Sequence, residues 1–453
     1  MAAALSAVLI VAAVGAAWAV RYVLTFGAPH LSAAQSRIVI SVAEFPGLVG
    51  TAITELRSRL GGDPLPLLMD RAAIEQPHWV RRFPAPEDPG YLLFSGVDRT
   101  ARHSVVQLIR ISDGSKVARW EPDWLLISEQ STSKKFAPTI SPNSSQAYHP
   151  LLLPDGDIVF NTLTSLVRQS PCSTKPVWVL DEAMHHSIEL DADGTIWVPS
   201  VSEDGYADNP WLKDRLRDDA LTRVSTDGRI LSKRSFARIL RGNNLEALLL
   251  GFFGPTLNSD PIHLNQIQVA HRDSRYWRRG DLLISVRHLS TLFLYRPSTD
   301  KIIWYQTGPW MNQHSVDFVD DHRISVFDNN VVSGVPNQYS FMTPGDHNRV
   351  ILYDFDTKQT SQPFAALLDE ARPVTITGGR ARVLPDGGLF VEEENYGRHL
   401  RFTRNRLLWS RVNDYDNRRI GVVSWSRYMT AEEVSVPMKA LASRHCPAAT
   451  GGM

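Results

Sequence analysis

The chain has 453 residues, 43% of them hydrophobic and including 12 Trp, 12 Tyr and 17 Phe, which is ample apolar surface for a large core. Lys plus Arg and Asp plus Glu both number 48, so no global field draws nucleic acid or an anionic membrane surface. Cys172 and Cys446 are the only cysteines, which excludes a disulfide framework and an all-cysteine metal site.

Ala2 to Val20 carries no charge and is nearly all apolar, long enough to cross a bilayer as one helix. Ala17-Trp18-Ala19 also has the small-residue pattern of a signal-peptidase site. Residues 1–26 are therefore expected to be a signal peptide or a membrane anchor. The following domain is expected on the extracytoplasmic (periplasmic) side, touching the membrane only through this helix where it is not cleaved. In an exported domain one bridge between Cys172 and Cys446 fits; two free thiols fit the count equally. Residues 27–88 read as a linker with an amphipathic helical segment, since Thr51 to Leu60 places apolar residues at helical spacing.

From about residue 89 to 430 the pattern changes to short β-rich runs punctuated by Asp-Gly turns, ahead of a tail at 431–453. Leu92 to Trp120 passes through the Asp113-Gly114 turn, and Leu153 to Leu180 opens on Asp155-Gly156 and ends on the Trp178 strand. His186 to Gly228, Gly280 to Trp304, Gln313 to Tyr353 and Leu384 to Trp409 follow. Six units that begin near a turn and mostly finish on a Trp-bearing strand are the sign of an all-β fold, a six-bladed β-propeller. Two helical insertions interrupt it, Ser235 to Leu250 with Ser235 as the N-cap, and Pro363 to Ala371.

The inner strands of a propeller line one channel, so polar residues at the start of each unit meet at its mouth although far apart in sequence. His186, His263, His288 and His314 all stand at such boundaries, with Arg287, Asn265, Gln313 and Asn329 beside them. Glu392-Glu393-Glu394 reads as a solvated strand edge in preference to a hard-cation site, and Arg275-Tyr276-Trp277-Arg278-Arg279 as a loop whose cations snorkel in preference to a polyanion contact. No Gly-x-x-x-x-Gly-Lys-Ser/Thr loop, Gly-x-Ser-x-Gly elbow or His-Glu-x-x-His helix occurs, so nucleotide-dependent transfer, serine hydrolysis and zincin chemistry lack support. Imidazoles also suit transition metals, but the reading requires no metal and no cofactor.

Four pieces in this order, Trp178 to Gly194 with His186, Ile262-His263-Leu264-Asn265, Ile284-Ser285-Val286-Arg287-His288, and Asn312-Gln313-His314 followed by Phe327-Asp328-Asn329, resemble the PAPS-independent arylsulfate sulfotransferases. The resemblance runs from about residue 90 to 430 and is strongest over 178–330. It implies a six-bladed propeller outside the cytoplasm that passes a sulfuryl group from an aryl sulfate to a phenol through a sulfohistidine. His263 and His314 match the family's active-site histidines by motif, with Arg287 and His288 beside them. His186, Asn265, Gln313, Asn329 and Arg349 are the expected substrate-binding set. The chain departs from the family twice. No basic residue follows Asn330, where the family has an arginine for which Arg287 or Arg349 would substitute. The family's further histidine has no sure counterpart, His399 being the first candidate and His347 the second. These departures keep open a second reading, a propeller that binds a ligand or partner without catalysis.

Overall fold

The computed structural model describes residues 62–131, 140–202, 205–209, 212, 215–251, 259–335, 338–342, 346–444 and 446. The expected signal or anchor segment and the stretch from Thr51 to Leu60 lie outside these residues. No helix among the described residues is long and apolar enough to cross a membrane.

Six four-stranded antiparallel sheets follow one another along the chain. Blades two to six run outward in sequence order from an innermost strand, which is Tyr148–Leu152, Glu189–Leu190, Leu264–Val269, Val316–Phe318 and Arg380–Val383 respectively. Blade one is composite. Its outer strands are Tyr91–Asp98, His103–Arg110 and Lys116–Trp120, and its innermost strand, Arg427–Met429, comes from the other end of the chain. Pairing Tyr91 with Met429 and Leu93 with Arg427 closes the ring.

Both faces of each blade are buried, so its strands read as near-continuous apolar runs rather than half-polar ones. Alternate residues face opposite neighbours: Leu92 and Phe94 pack with Phe390 and Trp409 of blade six, whereas Leu93 packs with Leu152 and Phe160 of blade two. Four further clusters fill the remaining gaps. Val198 with Val159 joins blades two and three, Leu221 with Phe293 three and four, Leu294 with Val326 four and five, and Val350 with Leu400 five and six. The helical insertions lie where the pattern predicts. Phe236–Gly242 is capped by the Ser235 side chain, which accepts from Arg238 N at 3.0 Å, and Ala365–Ala371 leads into blade six.

The innermost strands expose an unpaired edge to the channel, and side chains of the preceding blade satisfy it. Ile267 N donates to Ser187 Oγ (2.9 Å), Val316 N to Gln266 Oε1 (3.1 Å) and Ala381 N to Ser315 Oγ (2.9 Å). The carboxylates from Glu392 to Glu394 are not the solvated edge expected from the sequence. Glu392 and Glu393 are fully buried, because they cap backbone N–H groups at the seam of the ring. Glu392 accepts from Trp425 N and Ser426 N (both 2.6 Å), and Glu393 from Val374 N (2.6 Å).

The closing strand leads into the helix Ser435–Ser443, which crosses back onto blade two. There Arg444 Nη1 reaches Asp157 Oδ1 (2.6 Å), and Cys446 is disulfide-bonded to Cys172. A bridge across a sequence separation of 274 constrains the unfolded chain strongly, by roughly 2–5 kcal/mol. Reduction, or Cys446→Ser, is therefore expected to lower the urea midpoint of unfolding, and adding reductant to Cys446→Ser should lower it no further.

Candidate functional site

In an antiparallel four-stranded meander the turns between second and third strands lie at the same end as the start of the innermost strand. That end of the ring gathers the residues singled out by the sequence. At each innermost strand's start one residue adopts a left-handed conformation: His149 (φ 51°), His186 (57°), His263 (49°), Asn312 (51°), Gly378 (74°) and Trp425 (57°) for blades two to six and one. For the non-glycine residues this costs on the order of 1–3 kcal/mol each, strain of a kind that clusters at ligand and active sites. It repeats at all six blades, which makes it the device that turns a ring of side chains toward one mouth.

The imidazoles meet. His185 Nδ1 and His186 Nδ1 share a hydrogen bond of 2.8 Å, and His185 Nε2 lies 3.2 Å from Asp219 Oδ1. The ring centre of His263 lies 5.1 Å from that of His186 and 4.3 Å from that of His288. On the other side, the rings of His149 and Trp425 are 3.4 Å apart, and Trp425 meets the His314 ring edge-on at 5.9 Å.

His263 and His314 sit in opposite surroundings. His263 donates through Nδ1 to Asp260 Oδ2 (2.6 Å), which leaves Nε2 as the acceptor nitrogen on a side chain that is 22% exposed. Burial alone would raise the Asp260 carboxyl, but the His263 hydrogen bond and charge hold it below the usual range. An ionised carboxylate behind an imidazole fixes its tautomer and orientation, with Nε2 facing away from Asp260. His314 is buried, donates through Nδ1 to Asn329 Oδ1 (2.6 Å), and accepts at Nε2 from Gly378 N (2.9 Å). The Asn329 amide is itself fixed by donating to Thr375 O (3.1 Å) and Gly378 O (3.0 Å). Burial and then the Arg287 charge push the His314 imidazolium well below its ordinary value, so this ring stays neutral. Burial and the His185 and His263 charges do the same to His186. His288 falls to about 4, through burial and then His263.

Other residues are placed plainly. Arg287 is buried and donates through Nη1 to His288 Nε2 (3.0 Å), while His288 Nδ1 meets Asp260 O (2.5 Å). Asn265 Nδ2 donates to Gln313 O (2.7 Å), and Gln313 Nε2 to Val286 O (3.1 Å), so these two amides brace the turns of blades four and five. Arg349 does not reach the mouth: its Nε binds the buried Asp328 Oδ2 at 2.9 Å. His399 lies in the seam between blades six and one, fully buried, with Nε2 on Glu392 Oε2 (3.1 Å) and Ser426 Oγ (3.0 Å). His347 pairs with Asp369 (3.1 Å). Asp260, His263 and His288 offer ligand atoms within 4.8 Å of one another, so this triad has the donors for a transition metal. Sequence reasoning missed His149, His185, Asp260 and Trp425 as members of the mouth. His149 carried a signal, since it precedes the second unit just as His186 precedes the third; Trp425 carried none.

The chain matches the arylsulfotransferase (ASST) family model over residues 149–413, a span that holds every histidine of the mouth. No curated protein matches it. Among solved structures, a Bacteroides caccae protein of unknown function is 11% identical, covering 76% of this chain and 99% of its own, with a TM-score of 0.46. The periplasmic gluconolactonase PpgL of Pseudomonas aeruginosa is 11% identical, covering 75% of this chain and 99% of its own, with a TM-score of 0.39. Hydrazine synthase of Kuenenia stuttgartiensis is 10% identical, covering 72% and 79%, with a TM-score of 0.37.

The neutral rings carry a pH signature. With His288 depressed to about 4 in the fold and near 6.5 unfolded, the unfolded chain binds the extra proton between these values, so stability is lost as pH falls through that window. The stability of the native protein relative to His288→Asn should drop by roughly 1 kcal/mol per pH unit from 6.5 towards 4, read from urea unfolding curves, and should not vary above pH 7.

Proposed function

We propose that this chain, which belongs to the arylsulfotransferase (ASST) family, transfers a sulfuryl group from an aryl sulfate to a phenol, with His314 as the nucleophile and His263 as the acid and base. The observation that carries the reading is the unlike pair of imidazoles. One ring is neutral, with its tautomer fixed by Asn329. The other is backed by the Asp260 carboxylate and remains partly open to solvent. A nucleophile must keep a lone pair at working pH, whereas a proton carrier must change charge easily.

In the first step His314 Nε2 attacks sulfur and the sulfur–oxygen bond to the donor breaks. The departing phenolate takes the Nε2 proton of the His263 imidazolium, which Asp260 had stabilised. Sulfuryl transfer, like phosphoryl transfer, passes through a loose in-line transition state whose charge is spread over the equatorial oxygens. The Arg287 guanidinium, whose charge acts on His314, supplies charge-assisted hydrogen bonds to those oxygens. Gly378 N–H leaves Nε2 as the nitrogen–sulfur bond forms, and is positioned to donate to a sulfuryl oxygen instead. In the second step the acceptor phenol gives its proton to neutral His263, its oxygen attacks sulfur, and the nitrogen–sulfur bond breaks to restore His314. His186 and His288 wall the mouth as neutral rings. We also place the domain outside the cytoplasm, a reading supported by the Cys172–Cys446 bridge, because such bonds persist in oxidising compartments.

The Gly378 N–H on His314 Nε2 also favours a second reading, in which the propeller binds an anion without turnover. A chromogenic aryl sulfate separates the two. Phenolate release that requires an added phenol, and that falls by at least 100-fold in His263→Ala and His314→Ala, supports transfer. Release into water without a phenol would make the protein a hydrolase; no release from a panel of aryl sulfates would leave the binding reading. Asp260→Asn should lower kcat more than it raises KM, because it removes a charge that matters only once His263 is protonated.

A further inference from the structure

Beneath the histidines the inner strands bring charged groups to the channel axis: Arg427 from blade one, Glu189 from three, Asp317 from five, and Arg380 and Arg382 from six. Most are matched. Arg427 Nη1 binds Glu189 Oε2 (3.1 Å), and its Nε and Nη2 take Pro150 O (2.8 Å) and Ile188 O (2.6 Å). Arg382 Nη2 binds Glu433 Oε1 (2.6 Å), with Asp317 Oδ2 at 3.8 Å from its Nε. Glu392 is engaged by two backbone N–H groups and His399.

Arg380 is the exception. Its residue is only 7% exposed, and its Nη1 is buried without a hydrogen-bond partner among the described residues. The groups whose charge acts on it are Arg427, Glu189, Asp317 and Glu392, from blades one, three, five and six, and it acts in turn on His149 of blade two. Arg380 is the cross-strand partner of Glu392, which accepts from Trp425 N (2.6 Å), and the Trp425 ring lies on that of His149. His149 is 1% exposed, with Nε2 also buried and unpartnered among the described residues and its ring held against Trp425. A buried guanidinium with an incomplete shell costs stability, and an anion that completes it regains that.

We propose that Arg380 and His149 form an oxyanion-binding subsite on the blade-one side of the channel, taking a small tetrahedral anion such as sulfate or phosphate and separate from the position held by Arg287. The guanidinium supplies the charge, and neutral His149, with its proton on Nε2, donates the second hydrogen bond. Glu189, Asp317 and Glu392 are the carboxyls that an incoming anion would oppose. Burial pushes Asp317 upward, so it can take a proton as the anion enters. The subsite does not depend on the transferase reading, since it uses neither His263 nor His314.

Crystals of the full chain soaked in selenate should show an anomalous peak between Arg380 Nη1 and His149 Nε2. In solution, calorimetric titration with sulfate and with phosphate, against chloride at equal ionic strength, should show one saturable site that Arg380→Gln weakens at least 30-fold. Arg287→Gln should abolish turnover and leave this binding intact, so that loss of the catalytic reading would not count against the subsite. Sulfate alone binding would define a sulfate site, and equal binding of both a general oxyanion site. Absence of the peak in the unmodified protein, or unchanged binding in a folded Arg380→Gln, would overturn the proposal; where that variant does not fold, the soak decides.

Discussion

Closure of the ring is the constraint on which everything else rests. Each blade buries two faces, and a blade without a neighbour exposes a whole sheet face of Leu, Val and Phe. Three residue pairs between Tyr91–Leu93 and Arg427–Met429 turn an open row into a ring, and they do so at the innermost position, where the mouth is built. The short strand is reinforced from behind. Tyr428 reaches Asp88 (2.7 Å), Glu392 holds Trp425 N and Ser426 N, and the following helix ends in the Cys172–Cys446 bridge on blade two. The seam therefore bears on the site directly, since Trp425, two residues before the closing strand, packs against both His149 and His314.

The mouth itself consists of strained positions that only a closed ring over-determines. Five non-glycine residues hold left-handed conformations there, three of them histidines. An isolated hairpin would relax such residues; between two packed blades, with backbone groups bridged to the preceding blade, they have no room to do so. The same packing strips water from His149, His186, His288 and His314 and makes them neutral. Rings alike in covalent chemistry then diverge through what their second nitrogen meets: a carboxylate for His263, an amide oxygen for His314, another imidazole for His186.

Much of the architecture was legible because propeller blades impose local rules. Asp-Gly turns, Trp178, Trp304 and Trp409 on outermost strands, and the two helical insertions follow from turn chemistry and periodicity, which act over a few residues. What acts across the ring was not legible. The fourth unit begins at Leu264 rather than near Gly280, because its inner strand lies inside the histidine-bearing segment, where polar side chains hide the strand pattern. Arg349 looked free to replace a missing cation, yet Asp328, its cross-strand partner, engages it. Glu392 to Glu394 looked like surface because a carboxylate run usually is. The burial of Glu392 and Glu393 depends on Trp425, Ser426 and Val374, whose backbone N–H groups arrive from other segments. Trp425 gave no hint of its place, since only closure of the ring brings it to the histidines.

A chain with equal numbers of acidic and basic residues has no long-range means of drawing an anion. It must instead set positive charge where water and counter-charges are scarce, because an interaction worth about 1 kcal/mol in bulk water grows severalfold at the lower effective dielectric of a protein. The channel meets this condition through placement rather than excess. Arg427 and Arg382 are matched to Glu189 and Glu433 and serve the fold by tying blades together. Arg287 stands instead beside the neutral His288 and His314, whereas Arg380 acts on the neutral His149 and is itself acted on by Arg427, Glu189, Asp317 and Glu392. Depressing the imidazoles thus does two things at once. It preserves the lone pairs of these rings, and it leaves Arg287 and Arg380 with neutral rings in place of imidazolium neighbours.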